Sequence, residues 1–214
     1  MAEHIPISYR FYRRIIRVLL ATLFRYQVYG VENILASGGC IIAANHASFL
    51  DPLIIGCGLW HRHVRFIARK TLFKTWISQW WAKSVGVVEI DRTKGDINAL
   101  KSALTVLHEG GLLCLFPEGT RTADGHLQDA RSGIGFLMAK AQVPVVPTYV
   151  AGTFAALPKG ARMVKPHKIK VFFGKPILPP EIESFGTDRE AYTKLAAFLM
   201  HRIAIIEADQ QSYL

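Results

Sequence analysis

The chain has 214 residues, of which half are hydrophobic and a fifth charged, and 26 Lys and Arg against 16 Asp and Glu give a formal charge of +10. That length and apolar content exclude a disordered chain and a small disulfide scaffold, and predict one domain with a sizeable core. A pI of about 9.7 with a mean hydropathy of +0.21 is basic and apolar at once, which disfavours a nucleic-acid binder and favours a surface of anionic lipid.

The first predicted element is a helix. Arg10, Arg13, Arg14 and Arg17 recur at helical spacing and are read as one basic face. Phe11, Ile15, Val18 and Thr22 form an apolar stripe, widened by Ile16, Leu19, Leu20 and Leu23. This pattern predicts a helix lying among lipid headgroups, with ordinary docking on the core as the alternative. Residues 1–29 are therefore read as a separable membrane-surface helix and 30–214 as the globular domain. Arg17 interrupts the run from Ile15 to Phe24, and Pro144, Pro147, Gly152 and Pro158 break the uncharged stretch 141–158. Neither is expected to cross a membrane. No small-residue cleavage site follows Val18–Phe24, so a secretory signal is not expected. The three cysteines, Cys40, Cys57 and Cys114, form no CxxC. Reduced thiols at the cytoplasmic face of a membrane are the expectation, with peripheral or monotopic attachment.

After Gly38-Gly39 strands and helices alternate. Cys40–Ala44 reads as a strand buried on both faces. A helix is predicted from Asp51 to Trp60, strands over Val64–Ala68 and Val85–Ile90, and an aromatic-rich helix between those strands. Asp96 opens a helix with Ile97, Leu100, Leu104 and Leu107 on one face, stopped by Gly110-Gly111. Leu112–Phe116 is another buried strand. A helix over Ser132–Ala141 precedes strands near Val145–Val150 and Ile169–Phe173. Thr187 and Glu190 read as the capping box of a last helix, whose face is Tyr192, Leu195, Leu199, Ile203 and Ile206. The fold class is α/β, a layered and mostly parallel sheet flanked by helices.

Two polar clusters interrupt this lattice, each just after a buried strand. The first is Asn45-His46-Ala47-Ser48-Phe49-Leu50-Asp51; the second is Phe116-Pro117-Glu118-Gly119-Thr120-Arg121-Thr122. Parallel strands would bring both to one sheet edge, where open α/β proteins bind ligands. Asp51 can fold back to accept Nδ1–H of His46, which leaves Nε2 as a base for an alcohol. No G-x-S-x-G nucleophile elbow occurs, and Ser48 is read as a turn neighbour rather than a nucleophile. A base without its own nucleophile predicts that the substrate supplies the hydroxyl, in a direct transfer. In the second cluster Arg121 can grip a phosphate and Gly119 permits an unusual φ. Glu118 either accepts a substrate hydroxyl or pairs with Arg121.

In this order, NHxSxxD followed by FPEGTR resembles the glycerolipid acyltransferase family, which includes the lysophosphatidic acid acyltransferases. Two further blocks carry the resemblance: Phe66–Lys74 with Gly86–Arg92, and Val143-Pro144-Val145-Val146-Pro147. It extends from about Gly30 to Pro180. The resemblance implies that His46 deprotonates the acceptor hydroxyl and Asp51 orients it. The acceptor is implied to be a lysophospholipid, lysophosphatidic acid above all, and the donor an acyl thioester of coenzyme A or acyl carrier protein. No cofactor beyond these substrates and no metal is implied. Arg121 would bind the acceptor phosphate, with Glu118, Gly119 and Thr120 shaping the pocket. Arg92 and Arg69 are further candidates for the anionic substrate. Three departures stand out: Arg69-Lys70-Thr71-Leu72 where the family usually has Lys-Lys-Glu-Leu, Glu89 at a commonly apolar position, and Arg131 before Gly133 in place of Lys-x-Gly.

Phe73, Trp76, Trp80 and Trp81 recur at helical spacing, with Trp60 upstream, and are read as facing a headgroup layer or an acyl-chain channel. His61-Arg62-His63 lacks a partner set with metal-ligand spacing. Against the enzyme stand two other classes, a non-catalytic lipid or acyl-carrier binding module and a nucleic-acid binder. A thioester hydrolase is the competing chemistry.

Overall fold

The structure, a computed structural model, describes residues 7–69, 87–90 and 96–210. In chain order it contains α1 (Ile7–Phe24), β1 (Gln27–Tyr29), a 3-10 turn (Val31–Asn33), β2 (Cys40–Ala44), α2 (Asp51–Gly58) and β3 (Val64–Arg69). These are followed by β4 (Val87–Ile90), α3 (Asp96–His108), β5 (Leu112–Leu115), α4 (Ser132–Ala141), β6 (Val145–Ala151) and α5 (Thr153–Ala156). The chain then forms β7 (Lys170–Phe173), α6 (Pro179–Glu183) and α7 (Arg189–Ala208).

The apolar run of β2 follows from its place in the middle of the sheet. All five residues are buried. Cys40, Ile42 and Ala44 face the cluster that contains Leu20, Phe24, Ile54, Ile55 and Phe173. Ile41 and Ala43 face the opposite one, with Leu107, Leu137, Met138, Leu199 and Ile203. A strand covered by helices on both faces has no solvent side on which to place polar residues. The sheet has seven strands among the described residues, in the order β1-β7-β6-β2-β5-β3-β4. Every pairing is parallel except β6 with β7. The expected α/β class and mostly parallel sheet are what the chain adopts.

Helix packing is close where side chains are smallest. A Cβ on Gly135 in α4 would collide with the Tyr192 carbonyl of α7, so glycine lets the two helices touch. Arg62 is buried and its guanidinium donates to the carbonyls of Leu35, Gly38 and Gly110. It thereby ties together the loops that enter β2 and β5.

Three expectations change. The last helix is capped by Asp188, whose carboxylate accepts Ala191 N–H at 2.7 Å, one residue later than the expected Thr187. A carboxylate there satisfies an orphan N–H and also meets the positive end of the helix. The sheet begins at Gln27, within the segment assigned to the membrane helix, because β1 pairs in parallel with β7.

The third concerns α1, which does not set four arginines on one free face. Arg13 turns inward and donates to the carbonyls of Leu59 at 2.6 Å and Trp60 at 2.9 Å. Arg14 and Arg17 are exposed; the Arg10 side chain lies outside the described residues. The wide apolar side splits in two. Ile16, Leu20 and Phe24 join the core, while Ile15, Val18, Leu19 and Leu23 remain 43–59% exposed. The helix is thus docked along one side and keeps an apolar strip on another. The aromatic stretch Phe73, Trp76, Trp80 and Trp81 lies outside the described residues, and Trp60 is exposed. No helix among the described residues is long and apolar enough to cross a membrane.

Candidate active site

β2 and β5 are parallel neighbours, with Ala43 opposite Leu115, so the two polar clusters emerge side by side. Backbone contacts join them: His46 N–H donates to Glu118 Oε1 at 2.9 Å, and Thr122 N–H to the His46 carbonyl at 2.8 Å. Asn45 fixes the third strand of this edge. Its amide donates to the Val150 carbonyl and accepts Val150 N–H, at 3.1 and 2.7 Å. The side chain continues sheet-like pairing where β2 ends, and so locks β6 beside the following loop.

The loop between Asn45 and α2 is organised by one carboxylate oxygen. Asp51 is fully buried, and its Oδ2 lies 2.8 Å from His46 Nδ1 while accepting the N–H groups of Ala47 and Ser48 at 2.7 and 2.8 Å. Because an acceptor faces Nδ1, that nitrogen carries the proton and Nε2 is the basic one. The imidazole also stacks on Phe116, with ring centroids 3.9 Å apart and planes 15° from parallel. Ser48 is buried, and its hydroxyl donates to the Leu157 carbonyl at 2.7 Å. Its oxygen is committed to holding the turn, also accepting Leu50 N–H at 3.2 Å.

The second cluster is a turn in which Gly119 adopts φ +70°, a left-handed conformation that favours glycine. A side chain there would also run into Arg131. The Arg121 guanidinium lies 3.5 Å above the Phe49 ring, a cation–π contact that ties it to the His46–Asp51 loop. Its Nη1 is buried without a hydrogen-bond partner among the described residues. Burial lowers the Arg121 pKa, and the nearby Asp51 charge opposes that shift. Thr120 is exposed at the turn.

Glu118 does not pair with Arg121 and instead receives the main-chain N–H of His46 through Oε1. Its Oε2 is buried without a hydrogen-bond partner among the described residues. Burial pushes the carboxyl from its ordinary 4.5 up to about 7; the N–H groups of His46 and Gln128 oppose the shift, and the Asp51 charge adds to it. Between these two values the native protein holds a proton that the unfolded chain has released, so stability falls as pH rises through that window. Glu118→Gln, permanently neutral, is expected to escape this fall. Urea unfolding at pH 5 and pH 8 should show the variant gaining on the wild type at the higher pH. A pH-independent difference would contradict the placement of this carboxyl.

His46, Asp51, Glu118, Gly119, Thr120 and Arg121 are therefore gathered at one edge. Arg69 closes β3 at the same edge, opposite Ile90; its side chain and the whole of Arg92 lie outside the described residues. Asn45 and Phe116 are parts of the site that sequence reasoning missed, although each directly flanks a recognised residue. The arrangement supplies a buried carboxylate paired with a half-buried imidazole, a base at Nε2, and a guanidinium with an unpartnered N–H held nearby. Such a set can take a proton from an alcohol and hold an anion.

A family model described as Acyltransferase matches residues 25–151. A 1-acyl-sn-glycerol-3-phosphate acyltransferase of Bacillus subtilis is 27% identical over 170 residues, spanning 79% of this chain and 82% of the relative. A probable 1-acyl-sn-glycerol-3-phosphate acyltransferase of Mycoplasma pneumoniae is 30% identical over 196 residues, spanning 83% of this chain and 72% of the relative. A chloroplastic protein of the same name from Brassica napus is 31% identical over 72% of this chain, which spans only 45% of that longer protein. Among solved structures, the 1-acyl-sn-glycerophosphate acyltransferase of Thermotoga maritima superimposes with a TM-score of 0.74 at 25% identity. That match covers 94% of this chain and 79% of the other.

Proposed function

Since the chain belongs to the acyltransferase family, whose model spans residues 25–151, we propose that it acylates the free hydroxyl of lysophosphatidic acid from an acyl thioester, giving phosphatidic acid for phospholipid synthesis. The thioester is carried by coenzyme A or acyl carrier protein. The observation that carries this reading is the 2.8 Å contact between His46 Nδ1 and Asp51 Oδ2, set beside the Glu118–Arg121 turn.

In the proposed reaction the acceptor hydroxyl donates to His46 Nε2. As its oxygen attacks the thioester carbonyl carbon, the proton moves to Nε2, and the carboxylate of Asp51 stabilises the imidazolium. The tetrahedral adduct collapses with cleavage of the carbon–sulfur bond, and the leaving thiolate takes the proton back from Nε2. Transfer is direct, since the Ser48 hydroxyl is buried and bonded to Leu157. Arg121 holds the acceptor phosphate, its guanidinium presented by Phe49 and its buried Nη1 left without a hydrogen-bond partner among the described residues. Phe49 makes this grip a property of both motifs at once. Work at the cytoplasmic face of a membrane suits an enzyme whose α1 leaves Val18, Leu19 and Leu23 exposed.

The test is a product assay by mass spectrometry on the purified protein, with acyl-CoA and acyl-carrier-protein donors and a panel of lyso-lipids. Phosphatidic acid from lysophosphatidic acid is the expected product. Free fatty acid released at the same rate without acceptor would overturn the reading in favour of a hydrolase. Arg121→Ala is expected to lower kcat/KM for lysophosphatidic acid about 10- to 100-fold, the range of a lost charge-assisted contact. The donor KM should change little. An unchanged acceptor dependence would remove Arg121 from the phosphate site.

A further inference from the structure

The segment joining α5 to β7, residues 157–168, carries Lys159, Arg162, Lys165, His167 and Lys168 and no acidic residue. Positions 159–168 are all exposed, including Met163 at 77% and Val164 at 48%. No carboxylate among the described residues pairs with any of its four Lys and Arg side chains.

Its base is nevertheless well anchored. The Leu157 carbonyl receives the Ser48 hydroxyl, Lys165 N–H donates to the Ala156 carbonyl at 2.8 Å, and Ile169 N–H donates to the Phe24 carbonyl at 2.9 Å. The segment thus runs from the His46–Asp51 loop to the last residue of α1, next to the exposed Leu23. It joins the candidate site to the apolar strip of that helix.

We propose that residues 157–168 form a docking loop for an anionic membrane surface, on which Lys159, Arg162 and Lys165 meet headgroups while Met163 and Val164 enter the acyl boundary. Cations flanking an exposed apolar tip match a layer that is charged outside and apolar beneath. An acidic protein would match the charges but leave the tip without an apolar counterpart. One anchor of the segment is Phe24, beside the exposed Leu23 of α1, and the other is Ser48 in the His46–Asp51 loop, so it links the apolar strip to the site. The inference rests on the proposed lipid acylation, since a lyso-lipid acceptor and its product both reside in the bilayer.

The full chain is to be sedimented with sucrose-loaded vesicles of phosphatidylcholine, with and without about 30% phosphatidylglycerol as the anionic lipid. Wild type should bind the anionic vesicles and be released by salt. Removing three cations, in Lys159→Ala with Arg162→Ala and Lys165→Ala, should weaken partitioning roughly 100-fold, from about fivefold for each cation. Met163→Asp with Val164→Asp should weaken it about tenfold or more through lost apolar burial. Both variants should keep the wild-type melting temperature and turn over short-chain, water-soluble substrates without vesicles at the wild-type rate.

Vesicle binding equal to wild type in both variants would overturn the proposal. So would intact vesicle binding with lost activity toward an acyl-carrier-protein donor alone, which would assign the loop to an acidic protein. The enzymatic reading fails separately: it falls if wild type transfers no acyl group to soluble acceptor, whatever the vesicles bind.

Discussion

Replacing His46 with alanine is expected to lower kcat for acyl transfer about 10³-fold, within the range for loss of a general base. The variant loses both the acceptor for the hydroxyl proton and the donor that returns it to the leaving thiolate. It also uncovers Phe116, on which the ring stacks, so thermal unfolding must be followed alongside rate. His46→Gln keeps more of that contact area and the same main chain, yet its amide cannot take the proton, and it should be as inactive as alanine. Burst kinetics add a check: no acyl-enzyme should accumulate in wild type or variant, because Ser48 is spent on Leu157. Near-wild-type turnover by either variant would place the base elsewhere.

That His46 and Asp51 would meet was legible because only a turn and the first residue of a helix separate them. Convergence of the two motifs was legible for a different reason. Each follows a run of apolar residues without alternation, Cys40–Ala44 and Leu112–Leu115, and such runs occupy the inner strands of a parallel sheet. Their adjacency came only with the strand order, which local pattern does not encode. The short strand Gln27–Tyr29 has three residues and no periodicity to detect, so local pattern does not separate it from the helix before it.

Spacing alone does not distinguish the arginines of α1. Arg13 is set apart by carbonyls 46 and 47 residues further along the chain. Glu118 shows the same limit. Its side chain serves a backbone N–H 72 residues away, whereas the neighbouring Arg121, one of the two partners that its sequence position suggests, stacks on Phe49. Long-range side-chain to main-chain bonds are a large part of how the site is held, and no residue pattern announces them.

Asp51→Asn is expected to cut kcat about 10²- to 10⁴-fold while leaving the fold in place, because the acidic partner of such a pair acts through charge and tautomer. Three donors converge on Oδ2, and two of them, the N–H groups of Ala47 and Ser48, belong to the turn rather than to the chemistry. An amide oxygen can still accept those two bonds, so the turn should persist. What is lost is the negative charge beside the imidazolium. Asp51→Ala differs in kind, since it strands two buried N–H groups at about 1–3 kcal/mol each. It should therefore lower the unfolding free energy by several kcal/mol as well as the rate. Comparing the two separates the jobs of one oxygen. If the asparagine variant is as stable as wild type and more than 100-fold slower, the charge acts on His46. If it retains activity within tenfold, Asp51 is only the organiser of the turn, and the acid of the pair must be sought in another residue.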